Sequence, residues 1–448
     1  MKRSTALAMV ILLAGLLFGG SAMAEEAAPA KTYSGDIWSR STLTGDWGGL
    51  RNDWAKKGVT LDMNLTQTGM SVVSGGRNQG WEYAGRGNLT LHLDTQKLGL
   101  WPGGFLTVEV EGNYNKTTNL DTGGLSPVNT NQLFPMLGDQ EVNIPALTFM
   151  QFFSHYFGVV LGKFDTTSGD ANEFAHGKGD KQFMNLALNL NPALVLTVPT
   201  STLGAGVIVL PTKDPHQAVI TAMVIDANGH ANRSGFDTAF EGNYTYVIEG
   251  RVKTNFFSKT GHQLLGALYS GKDFSSLEQN TLLMLKGMIK NESLDTEKED
   301  GSWAVYYNFD QYLYEPKKGQ GIGIFGRFGA TDGEANPVHY FYSLGLGGKG
   351  VMNSRPNDAF GVGFYYMDMS NPKLTGIFKD RELFRDEYGV EAYYNFAITP
   401  WMKLTPDIQI IRPAQKDKVS VVRTVPPVIE KEGIDTATVL GLRLQIIF

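Results

Sequence analysis

Residues 437–448 read Ala-Thr-Val-Leu-Gly-Leu-Arg-Leu-Gln-Ile-Ile-Phe. Leu440, Leu442, Leu444, Ile446 and Phe448 share one parity, and Val439, Gly441, Arg443, Gln445 and Ile447 hold the other. Successive side chains of a strand point to opposite faces, so one face is wholly apolar and the other mostly small or polar. The same period-2 pattern recurs throughout. Val59, Leu61, Met63 and Leu65 alternate with Thr60, Asp62, Asn64 and Thr66. Tyr83, Leu89, Leu91 and Leu93 oppose Glu82, Arg86, Asn88, Thr90, His92 and Asp94. Leu106, Val108, Val110 and Tyr114 oppose Thr107, Glu109, Glu111 and Asn113, and a run from 244 to 257 puts Glu249 and Arg251 on its polar face.

Shorter alternating runs predict strands near 146–153, 156–164, 183–190, 194–199, 203–210, 217–225 and 263–270, with turns rich in Ser, Asp, Asn and Gly between them. From Trp303 the pattern resumes at 303–313, 322–331, 338–346, 359–368, 388–398 and 402–411, followed by the last strand. Period-2 counting gives roughly 16 to 18 strands, with boundaries good to about 2–4 residues. A soluble sandwich also alternates. Here, however, 11% aromatics and abundant apolar side chains coexist with a mean hydropathy of only −0.17. Beyond the N-terminal stretch, no run reaches the ~18 apolar residues of a membrane helix. A transmembrane antiparallel β-barrel of about 16 strands fits, because it spends its hydrophobicity at every second residue, and a barrel this wide holds an aqueous lumen.

The N-terminal residues support export. Met1-Lys2-Arg3, an apolar stretch from Ala6 to Phe18, and Ala22-Met23-Ala24 predict a signal peptide over 1–24, cleaved after Ala24. Residues 25–58 form a leader in which Asp46 is expected to cap a short helix, with Leu50 and Trp54 on one face and Gly58 as its stop. The barrel domain then occupies 59–448, with no composition break to divide it. The absence of cysteine excludes disulfides. The acidic balance, net −6, argues against a nucleic-acid partner. The segment 116–143, rich in Asn, Thr, Gly and Pro, predicts a long loop at the outer rim or folded inward. A loop with a short helix is expected over 275–289.

Polar residues on the luminal parity are the candidate pore lining: Glu82, Arg86, His92, Asp94, Glu109 and Glu111 on the early strands, with Glu249 and Arg251 later. Opposite charges on facing walls would make a narrow polar gate. The competing expectation is that such pairs only stiffen the wall, as any wide barrel requires. Trp81 is a lumen aromatic or, more in keeping with aromatic belts, a girdle residue at the membrane interface. Enzymatic readings find little support. The seven histidines show no metal-ligand spacing, and no HExxH occurs. Gly345 to Gly350 fits GxGxxG only formally, without the helix and acidic partner of a nucleotide site. No catalytic, cofactor or metal site is expected.

Several stretches carry a family resemblance. They are LTGDWGGLR (43–51), LGKFD (161–165), the 312–327 run leading into GIFGRF, GGKG (347–350), RPNDAFGVGF (355–364) and ITPWMKLTPDIQII (398–411). In this order they resemble the carbohydrate-selective porins of Gram-negative outer membranes, the OprB type. A strand ending on an aromatic, such as Phe448, is likewise similar to the closing strand of many outer-membrane barrels. The resemblance implies a barrel of about sixteen strands in the outer membrane, passing small sugars, chiefly glucose-like monosaccharides. It also suggests a homo-oligomer, as a trimer. A general porin, or one for organic acids or cations, is the alternative; an outer-membrane barrel enzyme is a more distant one.

Overall fold

The computed structural model describes residues 33–133, 141–230, 239, 241–280, 296–371, 373–375, 383–422 and 428–448. The expected signal peptide and the leader up to Thr32 lie outside the described residues, as does the second half of the helix expected over 275–289.

Sixteen strands close into one antiparallel barrel. In chain order they are β1 (Val59–Ser74), β2 (Gly80–Asp94), β3 (Gly104–Asn115), β4 (Val142–Phe152), β5 (Phe157–Asp165), β6 (Ser201–Val209), β7 (Ala218–Asp226) and β8 (Tyr244–Thr254). They continue as β9 (Gly261–Ser275), β10 (Lys298–Lys317), β11 (Gln320–Thr331), β12 (Val338–Lys349), β13 (Ala359–Met369), β14 (Glu387–Thr399), β15 (Met402–Arg412) and β16 (Ala437–Ile447). β16 pairs with β15 on one side and with β1 on the other, so no edge is left open. Closure matters because lipid offers no hydrogen bond to an unpaired backbone group.

The alternation read from sequence is the inside–outside alternation of the wall. Leu440 and Leu442 are about half exposed on the outer face, whereas Val439, Arg443 and Gln445 are buried inside. On β1, Thr66, Thr68, Met70 and Val72 point inward and are almost wholly covered. Connections differ sharply between the two rims. On the rim that carries Val59 and Ile447 they are as short as 318–319 and 400–401; on the other they run through 116–141, 166–200 and 413–436. In the last of these, Asp417–Val422 and Val428–Gly433 form a two-stranded hairpin of their own.

Two expected strands do not exist. Residues 183–190 and 194–199 belong to the 166–200 connection, which folds into the lumen and carries the short helices α2 (Leu186–Asn189) and α3 (Pro192–Val195). The local chemistry explains it. The Asn185 side chain accepts from Ala187 N at 3.0 Å, Asn191 accepts from Ala193 N at 3.2 Å, and Pro192 sits in the first turn, all of which favour helix starts over strands. Their apolar residues serve a core inside the barrel, not its lipid face: Phe183, Leu188 and Ala193 pack with Phe325, Phe341 and Tyr365 of the wall.

The leader helix, α1, forms at Leu50–Lys56, but its buried face differs from the expected one. Leu50 and Trp54 are exposed, Arg51 is buried, and no side chain caps the N-terminus. Asp46 instead accepts from Gly48 N within its own turn. Arg51 donates to the carbonyls of Phe448 (2.8 Å) and Leu61 (2.7 Å) and lies over the Tyr33 ring. The Leu43 amide donates to Ile447 O and the Phe448 amide to Met63 O. LTGDWGGLR thus fastens the seam between β1 and β16. Between 275 and 280 the chain is extended rather than helical, and Glu278–Asn280 pairs with Lys373–Thr375.

Candidate permeation site

The inward connections are held mainly by the wall from β10 to β16. Glu391 accepts from the amides of Met184 and Asn185, and Glu387 accepts from those of Leu125, Ser126 and Ala414 and from the Tyr365 hydroxyl. Buried arginines hold the loop from its carbonyl side. Arg327 binds the Asp170 carboxylate at 2.6 Å and the carbonyls of Ala175, Leu188 and Asn189. Arg443 donates to the carbonyls of Gly179 and Gln182. A charged side chain bound by several partners in a low-dielectric interior fixes its neighbours in one geometry.

The loop then presents Lys178 and Asp180 to the stretch of wall beyond β1, where the charges of β2 and β3 wait. Arg86 pairs with Asp180 at 2.6 Å and with Glu111 at 3.5 Å. Lys178 pairs with Asp165 at the end of β5 and lies 3.5 Å from Glu109. Asn88 donates to Glu109, Asn113 to Glu111, and Asn131 of the 116–141 connection to Asp180. This is a ladder of alternating charge joining wall to loop. Burial pulls the Lys178 ammonium towards neutrality, but Asp165 and Glu109 more than reverse that, so it stays charged. His176 is the opposite case: burial, with Arg327 and Lys178 nearby, pushes it down to about 3, and it remains neutral.

Three of the residues singled out from sequence, Arg86, Glu109 and Glu111, therefore converge. The partners that bring them together are loop residues, not the facing strands. The others are dispersed. Glu82 lies near the rim of the long connections. His92 is exposed in the lumen towards the other rim, within 3.1 Å of the Thr107 hydroxyl, and Asp94 accepts from the Gln96 and Lys97 amides in the turn that follows. Glu249 is buried beneath the inward loop, bonded by the Tyr306 hydroxyl at 2.9 Å. Arg251 is half-buried two residues further along β8. Trp81 stands on the outer wall, 66% exposed and stacked on Tyr83, because it shares the parity of Leu89. It is therefore excluded from the lumen lining by the pleat itself.

Sequence reasoning missed Lys178, Asp180, Asp170 and Arg327. Arg327 had a signal, the GIFGRF run; a lone loop lysine and aspartate had none. A second cluster also went unread, in which His262 and Asp310 lie 2.7 Å apart and Glu173 accepts from the Tyr312 hydroxyl.

A family model described as "Carbohydrate-selective porin, OprB family" matches residues 78–448. The chain belongs to that family. This OprB-family porin is 22% identical over 436 residues to Porin B of Pseudomonas aeruginosa, covering 91% of each chain. It is also 33% identical to Porin AaxA of Chlamydia pneumoniae, but over 113 residues only, 25% of this chain and 24% of that one. Among solved structures, OprB of Pseudomonas putida at high pH superposes with a TM-score of 0.74 at 18% identity, over 92% of this porin and 100% of that chain. Its low-pH structure gives 0.55 over 92% and 99%. Family and fold place the protein in the outer membrane and make it a channel rather than an enzyme.

Proposed function

We propose that this porin passes neutral monosaccharides, glucose-like in size, by passive diffusion, and that the junction of wall and inward loop at Arg86, Glu109, Glu111, Asp165, Lys178 and Asp180 sets its aperture. The observation that carries this reading is the charge ladder. It ties the loop to β2, β3 and β5 while leaving Glu109, Lys178 and Asn88 less covered than Arg86 and Glu111. Sugar hydroxyls exchange water for such charged and amide groups without tight capture, and weak binding is what a conducting site needs. Glu82, His92, Asp94 and Arg251 shape the field of the two vestibules in this reading. Liposomes carrying the protein should swell faster in glucose than in an organic acid of equal size; equal rates would refute sugar selectivity.

A cation-preferring channel is the second reading, favoured by the excess of carboxylates over cations in the ladder. A reversal potential under a salt gradient separates the two. Assembly as a homotrimer and removal of residues 1–24 complete the proposal. Cross-linking in outer-membrane preparations and the N-terminal sequence of the purified protein test them.

A further inference from the structure

Behind the inward loop, against the wall from β5 to β10, lies a cavity of about 150 Å³ that shares only Asp165 with the charge ladder. Apolar side chains make up part of its lining: Leu190, Leu194 and Val198 from the loop and Met223, Val247 and Leu268 of the wall. Polar side chains line the remainder, Asp165, Asp170, Asn191 and Tyr306 among them, and two more, Glu249 and Thr221, have hydrogen-bonding capacity to spare. Glu249 receives the Tyr306 hydroxyl and, more weakly, the Asp170 amide, both on Oε2; Oε1 takes no hydrogen bond among the described residues. Thr221 is only 6% exposed, and its hydroxyl has no partner among them.

A buried hydroxyl left without a partner costs about 1–3 kcal/mol. A water molecule can serve Thr221 and Glu249 but would leave the apolar side of the cavity, at Leu194, Met223 and Leu268, without contacts. Apolar cavities of about 150 Å³ are the size that accepts a benzene ring. The occupant that fits both the volume and the chemistry is therefore a small ring with one hydroxyl.

We propose that this cavity is a second ligand site, adjoining the charge ladder at Asp165, that takes small phenols and braces the inward loop against the wall. The ring meets the leucines and Met223, the phenolic O–H donates to Glu249, and the Thr221 hydroxyl donates to the phenolic oxygen. Thr167 and Asp170, at the entry of the loop, and Leu190 and Leu194, further along it, border the same space. One occupant thus touches both limbs of the segment that carries Lys178 and Asp180.

Fluorine NMR of 4-fluorophenol with the purified protein in detergent tests this. Binding should be saturable, abolished by Met223→Trp, which fills the space, and weakened about fivefold by Thr221→Val, the loss of one hydrogen bond. Fluorobenzene, lacking the donor, should bind more weakly by at least the same factor. Gel migration before and after heating shows whether each variant is folded, and Val247→Phe fills the same space if Met223→Trp does not fold. Equal signals from the native protein and a folded, filled variant would mean partition into micelles and overturn the site. Displacement by glucose would also overturn it, by placing the phenol in the permeation path. Loss of sugar selectivity would leave the phenol result untouched, so the two readings fail separately.

Discussion

Replacing Arg86 with Ala takes one rung from the ladder and leaves two carboxylates behind it. Arg86, Glu111 and Asp180 have side chains only 7%, 8% and 12% exposed, so neither carboxylate can turn to bulk water without moving. Removing one member of a buried pair costs about 3–5 kcal/mol, mostly as the penalty on the abandoned charge. At about 1.4 kcal/mol per tenfold, that is roughly two to three and a half powers of ten in an equilibrium constant. The wall should not bear it, because β2 keeps its backbone ladders to β1 and β3. The loop should, since Asp180 is its ion-pair tie to β2. Arg86→Ala should therefore fold and insert normally yet show larger, noisier single-channel conductance in planar bilayers, with a reversal potential shifted towards cations. Adding Asp180→Asn should recover much of the quiet state by removing one stranded charge, a coupling that a double-mutant cycle measures. Unchanged conductance and selectivity in a folded Arg86→Ala protein would refute the view that the ladder sets the aperture.

Two further perturbations separate wall from lumen. Leu442→Arg puts a cation on the lipid face, at a cost of about 2–4 kcal/mol near the bilayer midplane. It should lower the yield of heat-modifiable barrel in membranes far more than Arg443→Leu, which frees two loop carbonyls and should chiefly alter conductance; similar assembly yields would mean the faces are assigned wrongly. Arg51→Ala removes the donor to Phe448 and Leu61 and should lower the unfolding midpoint of the folded barrel in a heating series on gels, with Arg51→Lys restoring part of it; an unchanged midpoint would show that the seam needs no such tie.

The wall was legible because lipid and lumen impose opposite demands on adjacent residues, and that contrast is written every second position. The parity of Leu440 and Arg443, or of Trp81 and Arg86, needs no partner to be read. The lumen is different. Residues 183–190 look like a strand because their leucines are spaced for one, yet Leu188, with Phe183, fills an apolar core that exists only once the loop has entered a finished barrel. The buried Glu391 and Glu387, which receive the loop amides, look in sequence like any other luminal carboxylates. Arg86 was legible as luminal, but its strongest partner, Asp180, lies far along the chain in a segment without regular spacing, and no local rule connects them.

The fastening at Arg51 has a bearing on the order in which the molecule is made. Its bond to Phe448 spans a sequence separation of 397 residues, so it cannot form until the final strand has arrived. Until then β1 offers an unsatisfied edge, the kind of template on which chains aggregate or pair with the wrong partner. Residues 43–51 are delivered beside that edge from the outset, and in the finished molecule they bind the carbonyls of Ile447 and Phe448 through Leu43 and Arg51. The segment that precedes the first strand therefore holds the groups that receive the last one.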